Sequence, residues 1–323
     1  MLNRFKIRKV TENDTDAVIN LINKVFNLHR DREWFYYVHY KNPGGKSILW
    51  IAENEDGEIV SFRSIIMWPL LLKDGVILKC GQLADAATDK RYRGKGLYSE
   101  VHKKAESQFW KEEGRILFSF PSPKNQEILT KRFGYKELSN IIPRGYVHLI
   151  PKNMITRRTK IGDKKILINE KDAEETLDKL NIKLEDPSSI DIEYKRSSGF
   201  IFNQDILQWR LKLPGRKYKI FKMDKENYLI TGDLTRRGLG LCTMIDYHYS
   251  NHKNISTLIK ALNLYAKRAG FDAVYTWKIN NCPFMLSLGF LPRYKKTPLV
   301  VKTRNVISYD LIDEVRLIYT DAY

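Results

Sequence analysis

Apolar and polar residues alternate along residues 47–53. Leu49, Ile51 and Glu53 project one way, Trp50 and Ala52 the other, which predicts a strand over Ser47–Glu53. A turn at Glu55-Asp56-Gly57 leads into a second strand, Glu58–Met67, and a long third one follows at Val76–Thr88. Upstream, a short strand, Phe5–Val10, precedes two helical patterns, Asp14–Phe26 and Asp31–Tyr40. Downstream the period changes. Val101, Ala105, Phe109 and Trp110 recur at helical spacing, so Leu97–Glu113 reads as a helix with one face on a sheet. A strand at Arg115–Phe120, a helix at Asn125–Phe133 and a strand at Ile141–Ile150 complete the order β-α-α-β-β-β-α-β-α-β.

The second half repeats this pattern. Strand Lys165–Asn169 runs into helix Ala173–Leu180, and helix Gln204–Leu211 leads to Pro214-Gly215-Arg216-Lys217, an echo of Pro43-Gly44-Gly45-Lys46. Strands follow at Tyr218–Met223, Tyr228–Asp233 and Leu239–Tyr247, then helix Ile255–Ala269 and strand Ala273–Trp277. Asn281 and Leu288-Gly289-Phe290 echo Asn125 and Phe133-Gly134-Tyr135, and Ala105 and Gly114 map onto Ala261 and Gly270. A repeat of this length sets the architecture before any single motif does.

Between the third strand and the long helix of the first half lies Arg91-Tyr92-Arg93-Gly94-Lys95-Gly96. A strand that breaks into a basic, glycine-containing turn and then a helix makes an anion site. The first helical N–H groups have no intrahelical partner, and the helix dipole places partial positive charge there. A Walker loop is absent, and only Gly94-Lys95-Gly96 fits a dinucleotide fingerprint, whose third glycine is missing. The pattern [RQ]-x-x-G-x-[GA] is matched in full. The repeat carries Arg91–Gly96 onto Tyr247–His252, where no glycine, arginine or lysine remains, so one site is expected, in the first half.

That loop, with Ala84–Lys90 before it, Leu97–Val101 after it, and Asn125 and Phe133-Gly134-Tyr135 beyond, resembles the pyrophosphate loop and surroundings of the GCN5-related N-acetyltransferase (GNAT) superfamily. The resemblance implies an α/β fold (an α+β mixed sheet) built as two tandem GNAT-like folds, the second degenerate. It implies a catalytic domain over 1–150, a linker over 151–164, a degenerate domain over 165–303 and a tail over 304–323. It also implies acetyl-CoA, or another acyl-CoA, as co-substrate. Backbone groups of Ala86, Ala87 and Thr88 would hold the pantetheine arm, and Arg91, Arg93, Gly94, Lys95 and Gly96 the pyrophosphate. Asn125 would contact the arm or the acyl group.

The resemblance leaves the proton chemistry open. Family members place a base on the fourth strand, where this chain has Gln82 and Cys80 at the usual positions and Asp85 as the strand's carboxylate. Asp85 and Gln82 are therefore the catalytic candidates; the alternative for Asp85 is a bond to backbone or to a neighbouring arginine. The family's thiolate-protonating tyrosine is replaced by Thr130, and Tyr98, Tyr135 and Tyr146 are substitutes by proximity only.

Composition narrows the partners. The chain has 323 residues, enough for two cores, and a net charge of +18 from 56 basic and 38 acidic residues. Such a field favours polyanions such as coenzyme A, nucleotide-sugars or RNA. Cys80, Cys242 and Cys282 form no C-x-x-C pair and read as buried apolar residues, and the histidines show no metal-binding spacing, so no metal is expected. No apolar run spans a membrane and no secretory leader is evident, so a cytoplasmic location is the expectation. The activity expected is N-acyl, most simply N-acetyl, transfer to a primary amine of a small molecule or of a nucleotide-linked amino sugar. Two alternatives stand beside it: a Fem-like transferase using aminoacyl-tRNA, and a non-catalytic CoA- or RNA-binding module.

Overall fold

The computed structural model describes residues 4–138, 145–151, 177–178, 180–187, 192, 194, 196, 198–236, 238–277, 285–293 and 298–304. Linker 151–164 beyond Pro151, strand 165–169, most of helix 173–180, Asn281, Cys282 and the tail beyond Arg304 lie outside them. The chain divides into two compact units. The first combines residues 1–139, 195–215 and 298–313; the second combines 140–194, 216–297 and 314–323.

The sheet of the first unit has seven strands in the order β1-β2-β3-β4-β5-β14-β6. These are Lys6–Lys9, Ile48–Glu53, Ile59–Leu71, Ile77–Thr88, Ile116–Ser119, Val300–Thr303 and Lys136–Glu137. All neighbours are antiparallel except β4 and β5, which run parallel. Helices α1 (Thr15–Phe26) and α2 (Arg32–Tyr40) cover one face, where Phe35 of α2 meets Phe62 of β3. The long helix α3 (Leu97–Lys111) covers the other, where Trp50 donates to Gln108. With helices on both faces, β2 buries residues of both alternating sets, Leu49 and Ile51 on one side and Ala52 on the other. Among the described residues no helix is long and apolar enough to cross a membrane.

The sheet of the second unit has the order β13-β7-β12-β11-β10-β9-β8. Its strands are Leu291–Pro292, Gly145–Leu149, Ala273–Trp277, Leu239–His248, Tyr228–Arg236, Tyr218–Lys222 and Lys183–Glu185. Again one pair is parallel, β11 with β12, and the others antiparallel. The helix after β11, here α6 (His252–Arg268), buries Ile255, Leu258, Ile259, Leu262 and Tyr265 in the core. Read from their outer strands, the two sheets have the same pairing pattern, and both are mixed α/β.

Two strands do not go where the sequence places them. The strand expected at 141–150 to close the first sheet is β7, and it pairs with β12 and β13 of the second sheet. The place beside β5 is taken instead by β14, which the sequence assigns to 165–303 and which pairs Val300 with Ser119. Helix α5 (Gln204–Leu211), also assigned to the second half, belongs to the first unit. There Trp209 meets Trp68 edge-on and stacks on Tyr37. The physical reason is that an open strand edge offers the same row of N–H and C=O groups to any extended segment. Alternation predicts a strand without naming its neighbour.

Candidate active site

The site is built where β4 leaves β5. Their parallel ladder covers only Cys80–Gln82 against Ile116–Phe118. β4 then continues to Thr88 while β5 ends at Ser119, whose hydroxyl donates to Leu83 O at 3.4 Å. On the side facing β5, the backbone of 84–88 is left without a ladder partner, and Ala86 is part-exposed whereas Ala87 is fully buried. Opposite, β3 and β4 shift register: Ser64 pairs with Ala84 but Phe62 with Ala87. Arg63 therefore faces two residues, Asp85 and Ala86, which is a β-bulge. Asp85 adopts the left-handed conformation there, with φ +47°. A non-glycine residue rarely sits there, and such backbone tends to persist at functional positions.

The bulge turns Asp85 towards the α1–α2 face. Its Oδ1 accepts from Arg30 Nη1 at 2.5 Å, and the Arg30 guanidinium lies 3.7 Å from the Trp34 ring centre. Asp85 is 7 % exposed, and its other oxygen, Oδ2, is buried without a hydrogen-bond partner. Gln82 lies on β4 three residues earlier, is fully buried, and accepts from Trp68 Nε1 at 2.7 Å. That bond occupies Gln82 in packing β4 against β3.

After β4, Asp89 organises the loop. Its carboxylate accepts from the Arg91 backbone N–H at 2.9 Å and from Lys24 Nζ at 2.7 Å. The Arg91 side chain is held by Asp89 and Glu58, and the bonds from Arg91 and Lys24 hold the Asp89 carboxyl well below its usual range. Arg93 bonds the Thr88 carbonyl through Nε at 3.2 Å, and the Lys95 ammonium lies 4.9 Å from the centre of the Tyr92 ring. Thr88 shares a hydrogen bond with Ser61. Gly94 and Gly96 both have positive φ, +81° and +82°, and nothing lies within 4 Å of where a Gly94 Cβ would be. Gly96 caps α3 without a side-chain hydrogen bond, so no side chain closes the helix N-terminus. Such an open, glycine-lined N-terminus flanked by Arg93 and Lys95 fits a pyrophosphate.

The counterpart in the second unit is closed. Asn251 caps α6 by accepting from the Asn254 N–H, and Asn227 Oδ1 accepts from Ser250 N and Asn254 Nδ2. Side chains of the protein there fill the role that an anion would take.

On the α3 face a second set of polar groups gathers that sequence reading named only in part. Tyr98, in the first turn of α3, donates to Asn125 Oδ1 at 2.7 Å in the first turn of α4 (Pro123–Phe133). Below it are buried His102 and Glu106, 3.1 Å apart, and Lys302 of β14 joins Glu106. Tyr135 is buried, Tyr146 lies in the second unit, and Thr130 bonds its own helix through Gln126 O. A cavity of about 670 Å³ lies at the far end of α3 from the loop, between Lys103, Trp110, Phe133 and Lys302. Among the described residues no cluster of His, Cys, Asp or Glu has the makings of a metal site. Cys80 and Cys242 are buried, and burial pushes both thiols well above their ordinary range.

Arg30, Arg63 and the buried histidines carried no sequence signal, because each lies on an element whose pattern reads as core or surface. Burial pushes His39 and His102 down to about 4, opposed in His39 by Asp85 and in His102 by Glu106. In the unfolded chain both titrate near 6.5, so between there and about 4 the unfolded state holds more protons. Stability should therefore fall as pH drops through this window, by up to about 1.4 kcal/mol per pH unit for each histidine. Denaturant unfolding at a series of pH values checks this; a flat profile would show that the imidazoles are not buried neutral.

Residues 6–138 match the family described as acetyltransferase (GNAT) domain. Among curated proteins none matches the chain by sequence. A probable N-acyltransferase from Enterococcus faecalis superposes with a TM-score of 0.60 at 13% identity, covering 93% of this chain and 72% of that one. A GCN5-related N-acetyltransferase from Anabaena variabilis gives 0.60 at 11%, covering 94% and 73%. A putative acetyltransferase from Pyrococcus horikoshii gives 0.53 at 13%, covering 98% and 94%. At such identities these likenesses speak for the fold. Residues 6–138 are thus similar to a GNAT acetyltransferase domain, and the chain shares the fold of these solved structures.

Proposed function

We propose that the chain is an acyl-CoA-dependent N-acyltransferase, most simply an acetyltransferase, acting by direct attack of a primary amine. The observation that carries this reading is the continuity of three features on β4: the gap beyond Gln82, the bulge at Asp85–Ala86 and the open glycine loop at Arg93–Gly96. Acyl transfer from a thioester needs the carbonyl held at attack distance, donors for the oxyanion and a neutral amine. Backbone groups of Ala86–Thr88 would hold the pantetheine arm, and backbone N–H groups of Arg93–Gly96 the pyrophosphate, with Arg93 and Lys95 adding charge. Arg91 differs from the expectation in its partners: Glu58 and Asp89 engage it, so it shapes the loop.

Asp85 belongs to the face opposite α3, and its unpartnered Oδ2 suits the proton or N–H of an incoming amine. Gln82, tied to Trp68, is a weaker candidate. A small-molecule amine or a nucleotide-linked amino sugar is the acceptor class, the second favoured by the net charge of +18. The test is thiol release from acetyl-CoA across a panel of such amines. Turnover with at least one is expected. Acyl-CoA binding without turnover on any acceptor would favour a binding module, and salt-sensitive tRNA binding without acyl-CoA binding would favour an aminoacyl-tRNA-dependent transferase.

A further inference from the structure

The buried arginine on β3 is not explained by the fold. Arg63 is 2 % exposed, and its Nε and Nη2 are buried with no hydrogen-bond partner. Buried guanidinium groups are normally paired, because an unpaired charge loses its hydration without compensation. The nearby carboxylate, Glu106, is already engaged by His102, Trp110 and Lys302. Asp85, opposite Arg63 across the bulge, is turned to the other face and pairs with Arg30.

The place of Arg63 is informative. It shares the α3 face with its cross-strand neighbour Trp50, and its Cζ lies 5.8 Å from the ring centre of Tyr98. Tyr98 in turn bonds Asn125. Arg63, Tyr98 and Asn125 thus run from the bulge, across the α3 side of the gap between β4 and β5, to α4. A thioester held at that bulge with its arm on the α3 side would have its sulfur facing this line. At the same time the tyrosine that family members use to protonate the sulfur is Thr130 here, bonded within its helix.

We propose that Arg63 is a catalytic residue that receives the departing coenzyme A thiolate, in place of a proton donor on α4. The amine nitrogen bonds to the carbonyl carbon, the carbon–sulfur bond breaks, and its electron pair stays on sulfur as a thiolate paired with the guanidinium. The amine proton leaves on the opposite face, towards Asp85 or water, and the thiolate takes its proton from solvent on release. The unpartnered donors of Arg63 are then satisfied by the anion that the reaction creates, which is stabilisation confined to the transition state and product.

This inference rests on the acyl-CoA reading, and the test separates the two without an acceptor. Bound coenzyme A is titrated by the ultraviolet absorbance of its thiolate, in the wild type, Arg63→Met and Arg63→Lys, alongside binding of acetyl-CoA. In the wild type the thiol midpoint should fall by roughly one to three pH units below that of free coenzyme A titrated in the same buffer. Arg63→Lys should keep much of that fall. Arg63→Met should lose it, while acetyl-CoA, which has no thiol, binds within about twofold of the wild type. A wild-type thiol that titrates like free coenzyme A while acetyl-CoA binds normally overturns the proposal and spares the acyl-CoA reading, even if Arg63→Met does not fold. Absence of binding by either ligand removes both.

Discussion

Acetyl-CoA is expected to raise the thermal midpoint of the wild-type chain, and Gly94→Glu is expected to abolish that rise. A ligand that binds only the folded state stabilises it by about 2.7 kcal/mol at a hundredfold excess over Kd. Gly94 has φ +81°, a conformation that costs an L residue roughly 1–2 kcal/mol. Space is not the obstacle, since nothing lies within 4 Å of the Cβ position. The carboxylate at that open position would project into the ground that a pyrophosphate needs, beside the uncapped N-terminus of α3. Gly94→Ala separates the two effects: it carries the backbone strain but not the charge, and should weaken binding less. Differential scanning fluorimetry with and without acetyl-CoA is the measurement. An undiminished shift in Gly94→Glu would mean that the ligand binds elsewhere.

Arg30→Met is expected to be the most destabilising single substitution near the site. It would strand the Asp85 carboxylate, 7 % exposed and already short of one partner, in a buried setting. Breaking a buried pair from one side costs about 3–5 kcal/mol, because the remaining charge is uncompensated. Combining Arg30→Met with Asp85→Asn removes both charges while keeping a residue that tolerates the left-handed backbone at φ +47°, and should recover much of that loss. Equilibrium denaturation of the single and double variants checks the cycle. Asp85→Asn adds the functional arm: with an acceptor in hand, kcat is expected to fall by about 10²–10⁴ if the carboxylate takes the amine proton. An unchanged kcat would reduce Asp85 to a structural partner of Arg30, which is the alternative the sequence already raised.

The loop was the most legible part of the site, for a local reason. Strand, basic turn, two glycines and helix are consecutive in sequence, and the positive φ of Gly94 and Gly96 is a property of glycine itself. At Tyr247–His252 the loss of every glycine, arginine and lysine is legible for the same reason, whereas the closure by Asn227, which lies outside that segment, is not. Asp85 was found as the carboxylate on its strand, but its direction was not. A one-residue bulge reverses the facing of a strand side chain, and bulges leave little trace in alternation. Arg30 and Arg63 were invisible, because an arginine in sequence reads as surface until packing buries it.

The sequence by itself therefore determined the local pieces: the amphipathic periods of α3 and α6, the long strand β4 and the anion-binding turn that follows it. Each depends on side chains a few residues apart. Tertiary structure alone decided which strand joins which sheet, so that β14 lies beside β5 and β7 beside β12. It also decided which charges meet, so that Arg30 answers Asp85 and Arg63 keeps two buried donors without a hydrogen-bond partner. Strand edges accept any partner of the right length, and charges pair across tens or hundreds of residues. Neither choice is encoded within a window of sequence; both are settled by what the assembled core brings within reach.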